Sequence, residues 1–163
     1  MYKKAIKTVM AAMLAAAVAS CTPAIERTKA SASSLITVNN GIDSVYNQLL
    51  QSYETFSATE MDHALEGFNN YLLKATKAIQ DIQADDDCKQ LQDAITSKIG
   101  VMLAIASNEA KEQVRIYKIP DTDFDEELRK QWDDLSAAVD RKVSESNSKV
   151  KQAIETIDKK TQK

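Results

Sequence analysis

The sequence predicts an all-α protein, an up-down-up-down four-helix bundle with coiled-coil-like packing. Three observations carry that prediction. The 163 residues include only three glycines and two prolines, so breakers are scarce. Apolar residues recur at three- and four-residue spacing from Leu35 almost to the end. The clearest stretch, Met61, Leu65, Phe68, Leu72, Ala75, Ile79 and Ile82, keeps a seven-residue repeat, the pattern of left-handed helix packing. Four such segments with short links favour neighbours that alternate in direction.

The chain begins with a different signal. Lys3, Lys4 and Lys7 form a basic head, Val9 to Ala19 an apolar run, and Val18-Ala19-Ser20-Cys21 follows. The apolar run is too short to span a bilayer, which takes roughly 20 residues. It is read as a secretory signal occupying residues 1–20 and removed in the mature protein. Small residues directly before a cysteine resemble the lipobox of bacterial lipoproteins, with Val18 where leucine is commoner. The resemblance implies a diacylglycerol and an N-acyl chain on Cys21. It also implies a bacterial cell-envelope location, anchored to the membrane by lipid; Thr22, not Asp, after the cysteine points to the outer membrane. Ala17-Val18-Ala19 also fits the cut of ordinary secretion, which would leave Cys21 free to pair with Cys88.

Loss of residues 1–20 removes three of the 21 basic residues and none of the 24 acidic ones, leaving a net charge of −6. That balance excludes the basic face a nucleic-acid binder needs. Cys88 follows Asp85-Asp86-Asp87, whose charge disfavours the thiolate; we expect a small buried residue rather than a nucleophile.

Residues 21–34, rich in Ser and Ala, are expected to be a flexible tether, and residues 35–160 the bundle. Helix one is expected over 35–56, with Gly41 inside it and Asn39 or Asn40 as alternative caps. Helix two, 58–83, opens with Ser57-Ala58-Thr59-Glu60, a capping box. Helix three, 87–118, carries Leu91, Ile95, Ile99, Met102, Ala106, Ala110, Val114 and Tyr117, and Pro120 ends it. Helix four, 122–158, is expected to be capped by Asp121 or Thr122, with a frayed end.

Catalytic and metal signatures fail one by one. Glu60-Met61-Asp62-His63 matches one Glu-x-x-His motif of di-iron bundles, but those need two, and the seam puts Glu60 and His63 outside. Asp121-Thr122-Asp123-Phe124-Asp125 starts like a calcium loop but has Glu126 and Trp132 where an EF-hand needs Gly and Glu. No phosphate loop, nucleophile elbow or zinc spacing occurs. We therefore expect neither enzyme activity nor a metal, and no cofactor beyond the lipid.

Helices three and four, as drawn, outrun the first two by about two turns, roughly 10 Å. The excess is expected to overhang the end opposite the tether as a tip bearing Val114, Tyr117, Ile119, Phe124, Leu128 and Trp132; the alternative is that the link between helices one and two folds over this tip, or that helix one is longer than drawn. In that alternative, ion pairs from Lys111, Arg115 and Lys118 to Asp123, Asp125 and Glu127 would simply hold the hairpin closed. Exposed aromatics suit contact with an unknown protein partner. The chain as a whole loosely resembles small helical surface lipoproteins of two-membrane bacteria. The terminal Lys163 also resembles the wall-linked end of Braun-type lipoproteins, which makes a structural envelope protein the alternative, with a small-ligand or metal carrier third. Small seam residues (Ala75, Ala106, Ser146) fit a monomer and leave a homodimer open.

Overall fold

The computed structural model describes residues 24–161. The expected signal segment, the expected lipidation site Cys21 and Lys163 lie outside the described residues. Within them every regular element is helical and no strand occurs. The elements are α1 (Ala24–Glu54), α2 (Ala58–Asp81), α3 (Lys89–Ser107), α4 (Glu109–Tyr117), one turn of 3-10 helix (Asp121–Asp123) and α5 (Glu126–Thr161). Together α3 and α4 make up the expected third helix.

The first correction concerns the tether. Residues 24–34 are helical, and α1 starts about three turns before Leu35. Thr28 and Ala32 are buried and continue the stripe of Leu35, Ile42 and Leu49 toward the chain start. Small residues on that face hid the periodicity, because alanine and threonine carry little hydropathy even when they pack. Three contacts hold this segment down. Thr28 Oγ1 donates to Asp85, Ser31 Oγ donates to the Gln83 carbonyl (3.3 Å), and the Cys88 thiol donates to the Thr28 carbonyl (3.3 Å).

Gly41 lies inside α1, so neither Asn39 nor Asn40 caps it. Its value is steric. A Cβ built there would collide with the Tyr71 ring and hydroxyl of α2, so the missing side chain lets the two helices approach.

The expected seam of α2 is the one that packs. Met61, Phe68, Leu72, Ala75 and Ile79 are buried, Leu65 and Ile82 half-buried, and Glu60 and His63 face solvent. The capping box forms by half. Ser57 Oγ accepts from Glu60 N–H (3.3 Å), while Ser57 N–H donates to Thr55 Oγ1 (3.4 Å) rather than to the glutamate. Extended backbone at Ile82 ends α2 slightly short of the expected residue 83.

Helix three is interrupted at Asn108 (φ −118°, ψ −83°). The Asn108 amide donates to the Ala104 carbonyl (2.9 Å), the local bond by which asparagine competes with a helix backbone. Helix four starts at Glu126 rather than 122. Asp125, and neither Asp121 nor Thr122, caps it, its carboxylate accepting from Leu128 N–H (2.9 Å). The far end continues to Thr161 instead of fraying at 158, with Lys160 paired to Asp87 (2.7 Å).

The core holds one group that apolar periodicity passes over. Leu91, Ile95, Lys98, Met102 and Ile105 are all buried, so Lys98 occupies a seam position at 1% exposure. Its ammonium donates to Asp43 Oδ1 (2.5 Å) and Asn39 Oδ1 (2.9 Å) on α1, and Asn39 Nδ2 donates to Asp43 Oδ2 (3.1 Å). The Asp43 side chain is 39% exposed, so this cluster reaches water on one side.

The cluster predicts an asymmetric response. Asp43→Ala leaves a buried ammonium short of its partner and should cost about 2–3 kcal/mol of unfolding free energy in urea titrations. Lys98→Met fills the same space and leaves Asp43 to water, and should stay within about 1 kcal/mol of the parent. Equal losses would contradict this account of the core.

Candidate functional site

The end of the molecule where α1 passes into α2 collects aromatic side chains. Thr55 bonds back to the Ser52 carbonyl through N–H (3.3 Å) and Oγ1 (2.8 Å), closing α1. Ser57 already caps α2, so Phe56 must turn the chain alone, and it does so with φ 54°. This left-handed position after a helix normally belongs to glycine, and a larger residue there costs about 1 kcal/mol. Phe56 is nevertheless 80% exposed, its ring centroid 5.9 Å from that of Tyr117.

Helix α4 supplies Tyr117, and α5 supplies Trp132. Tyr53 and Tyr117 stack at 6.1 Å, and the Trp132 indole meets both edge-on, at 5.5 and 5.3 Å. Pairs of this kind contribute about 0.5–1.5 kcal/mol each beyond burial. The Tyr53 hydroxyl donates to Gln113 Oε1 (3.5 Å), and Gln113 Nε2 donates to Ser136 Oγ (3.0 Å), linking α1, α4 and α5 beneath the cluster. Burial raises the pKa of both Tyr53 and Tyr117, so the phenols stay neutral. Over this base lies an open cleft of about 280 Å³, walled by Phe56, Tyr117, Trp132 and Phe124, with Ile116 and Ile119 beneath and Asp121 at its edge.

Four of the six expected tip residues (Tyr117, Ile119, Phe124 and Trp132) line this cleft. Val114 and Leu128 do not. Val114 is buried on the side of α4 that meets α2, beside Leu65, and Leu128 is half-buried outside the cleft. The overhang needs correction too. α1 spans 31 residues, so its length leaves no two-turn deficit, and Tyr53 and Phe56 reach the level of Tyr117. Among the described residues no ion pair joins Lys111, Arg115 or Lys118 to Asp123, Asp125 or Glu127. Arg115 pairs with Glu112 (2.7 Å) and Lys118 with Asp62 of α2 (2.6 Å). Phe56 is the residue that sequence reasoning misplaced by putting it inside helix one. The capping serine behind it was the available signal, since a cap at Ser57 places the boundary between the two helices at this point.

The opposite end is closed and polar. Cys88 is fully buried, and burial, reinforced by Asp85, pushes its thiol up to about 11. The Thr28 hydroxyl and the Cys88 backbone N–H hold the Asp85 carboxylate below the usual range. Among the described residues no three histidine, cysteine or acidic side chains gather as metal ligands, and no helix is long and apolar enough to cross a membrane. Asp125 serves as a cap and Asp123 accepts from Thr122 (3.1 Å).

No protein-family model matches the chain, and neither a curated protein nor a solved structure is similar enough to match it.

The left-handed turn predicts an unusual order of stabilities. Phe56→Gly relieves the backbone and should be about 1 kcal/mol more stable than Phe56→Ala, which loses the same ring contact and keeps the strain. Urea unfolding of the two variants checks this. An alanine variant as stable as the glycine variant would contradict a left-handed Phe56.

Proposed function

We propose that the chain is a lipid-anchored protein of a bacterial cell envelope that acts through protein–protein contact, without catalysis. Cys21 carries the lipid, and the four helices form an up-down-up-down bundle that presents the aromatic cleft away from the membrane, in this reading the outer membrane. The observation that carries the proposal is the open cleft with exposed Phe56 and Phe124, remote from the start of α1. Exposed aromatics on a firmly packed base are the usual energetic centres of protein interfaces.

Contacts at the two ends support this arrangement. Thr28 meets Asp85, and Lys160 meets Asp87, so the chain start, the α2–α3 link and the end of α5 lie together. Tyr53, Phe56, Tyr117 and Trp132 lie together at the other end of α1. A helix of 31 residues puts about 45 Å between the two ends. Helical structure from Ala24 leaves almost no slack after Cys21, so the bundle would stand directly on the membrane. The wall-linked alternative has less support, because the Lys160–Asp87 pair puts the end of α5 at the same end as the start of α1, where this reading sets the lipid.

Intact mass and membrane fractionation of the native protein beside a Cys21→Ala variant test the anchor. The expected outcome is a lipid-sized increment and membrane location, both lost in the variant. A soluble, unmodified native chain beginning at Ser20 would overturn the anchor and the orientation argued from it.

A further inference from the structure

We infer that the aromatic cleft takes a cationic, apolar peptide segment of its partner, an inference that rests on reading this end as the contact surface. The cleft itself asks for apolar side chains: Phe56, Phe124, Tyr117 and Trp132 surround it, and Phe56 is 80% exposed. Its surroundings set the charge. Every charged residue from Ile119 to Glu127 is acidic: Asp121, Asp123, Asp125, Glu126 and Glu127, all exposed. Glu54 and Glu60, also exposed, flank Phe56 in sequence without an intervening lysine or arginine. Among the described residues no cation pairs with any of these carboxylates. Of the basic groups nearby, Arg115 and Lys118 of α4 are held by Glu112 and Asp62, and Arg129 and Lys130 of α5 are exposed, so residues 119–130 keep a net negative charge.

Net negative charge beside an apolar centre, with Asp121 in the lining itself, selects its occupant. A second copy of this chain would bring acid against acid, and an anionic lipid surface would be repelled in the same way. A segment in which lysine or arginine alternates with leucine or phenylalanine satisfies both features. Its apolar side chains enter the cleft, and its cations meet the rim. Phe56 fits that role, because its left-handed backbone spends stability to keep a ring in the open.

Trp132 is the only tryptophan, so its emission reports on the cleft alone. The test titrates the full purified chain with a synthetic peptide alternating lysine and leucine. Two controls replace lysine by glutamate, or leucine by serine. The expected result is a saturable change in Trp132 emission with the lysine–leucine peptide, at least about tenfold tighter than with either control. Raising the salt from low to molar concentration should weaken it by about tenfold or more. Phe124→Ala should weaken it about tenfold with an unchanged melting curve. Equal binding of the glutamate–leucine peptide overturns the charge selection while leaving the cleft as a contact surface. Equal binding of the lysine–serine peptide overturns the apolar part. Self-association of the chain through Phe124 overturns the choice of partner. No response to any of these peptides overturns this inference alone, whereas a soluble, unlipidated native chain would overturn the reading it rests on.

Discussion

Lys98 stands in the seam of α3 where a leucine or isoleucine would ordinarily sit, and its ammonium is held by Asp43 and Asn39 of α1. This contact ties α1 to α3 partway along both helices. α1 packs mainly on α2, and α3 packs on α5 and α2, so α1 and α3 otherwise touch little. An apolar seam tolerates sliding by a turn, because one leucine replaces another. A single buried cation with one carboxylate to meet does not, since any other register leaves a charge unpaired. The Lys98 cluster therefore favours one height of α1 against α3, alongside the close approach of α1 to α2 at Gly41 and Tyr71. That height decides whether Tyr53 reaches Tyr117 and Trp132 at one end and whether Thr28 reaches Asp85 and Cys88 at the other.

The two ends use this fixed register for different chemistry. At the chain start, hydroxyl, thiol and carboxylate groups satisfy one another, and Cys88 is sealed with its proton on. At the far end the Tyr53–Tyr117–Trp132 stack forms a rigid base, while Phe56 and Phe124 remain open above it. Rigid base and open rim complement each other, because aromatic anchors bind tightly only where their support does not reorganise. The strain at Phe56 belongs to the same logic: glycine would suit the turn better and would remove the ring.

Much of this was legible in the residues and some was not. The seam of α2 was readable from Met61 to Ile79 because large side chains mark it without interruption. The start of α1 was hidden because Thr28 and Ala32 pack as tightly as leucine does while registering as polar or neutral. Lys98 was hidden for the opposite reason, a charge in a seam, and its partner Asp43 lies 55 residues away. Four cleft residues, the aromatics Tyr117, Phe124 and Trp132 with Ile119, were recoverable from the apolar content of 117–132. The cleft itself was not, because its remaining wall, Phe56, depends on a backbone angle and on the true length of α1. The break at Asn108 and the cap at Asp125 are local competitions between side-chain and backbone bonding, which apolar spacing does not record.

The proposal is geometric: a lipid would hold one end of the bundle at a membrane, with the aromatic cleft at the other. The most direct measurement is Trp132 emission of the native protein reconstituted into vesicles whose acyl chains carry bromine, a contact quencher. The account predicts a vesicle-bound protein whose tryptophan is quenched by aqueous iodide and untouched by the bromine, as expected for an indole about 45 Å from the anchored end. A bound protein whose Trp132 is quenched by the lipid, or a native protein that does not bind the vesicles, would contradict it.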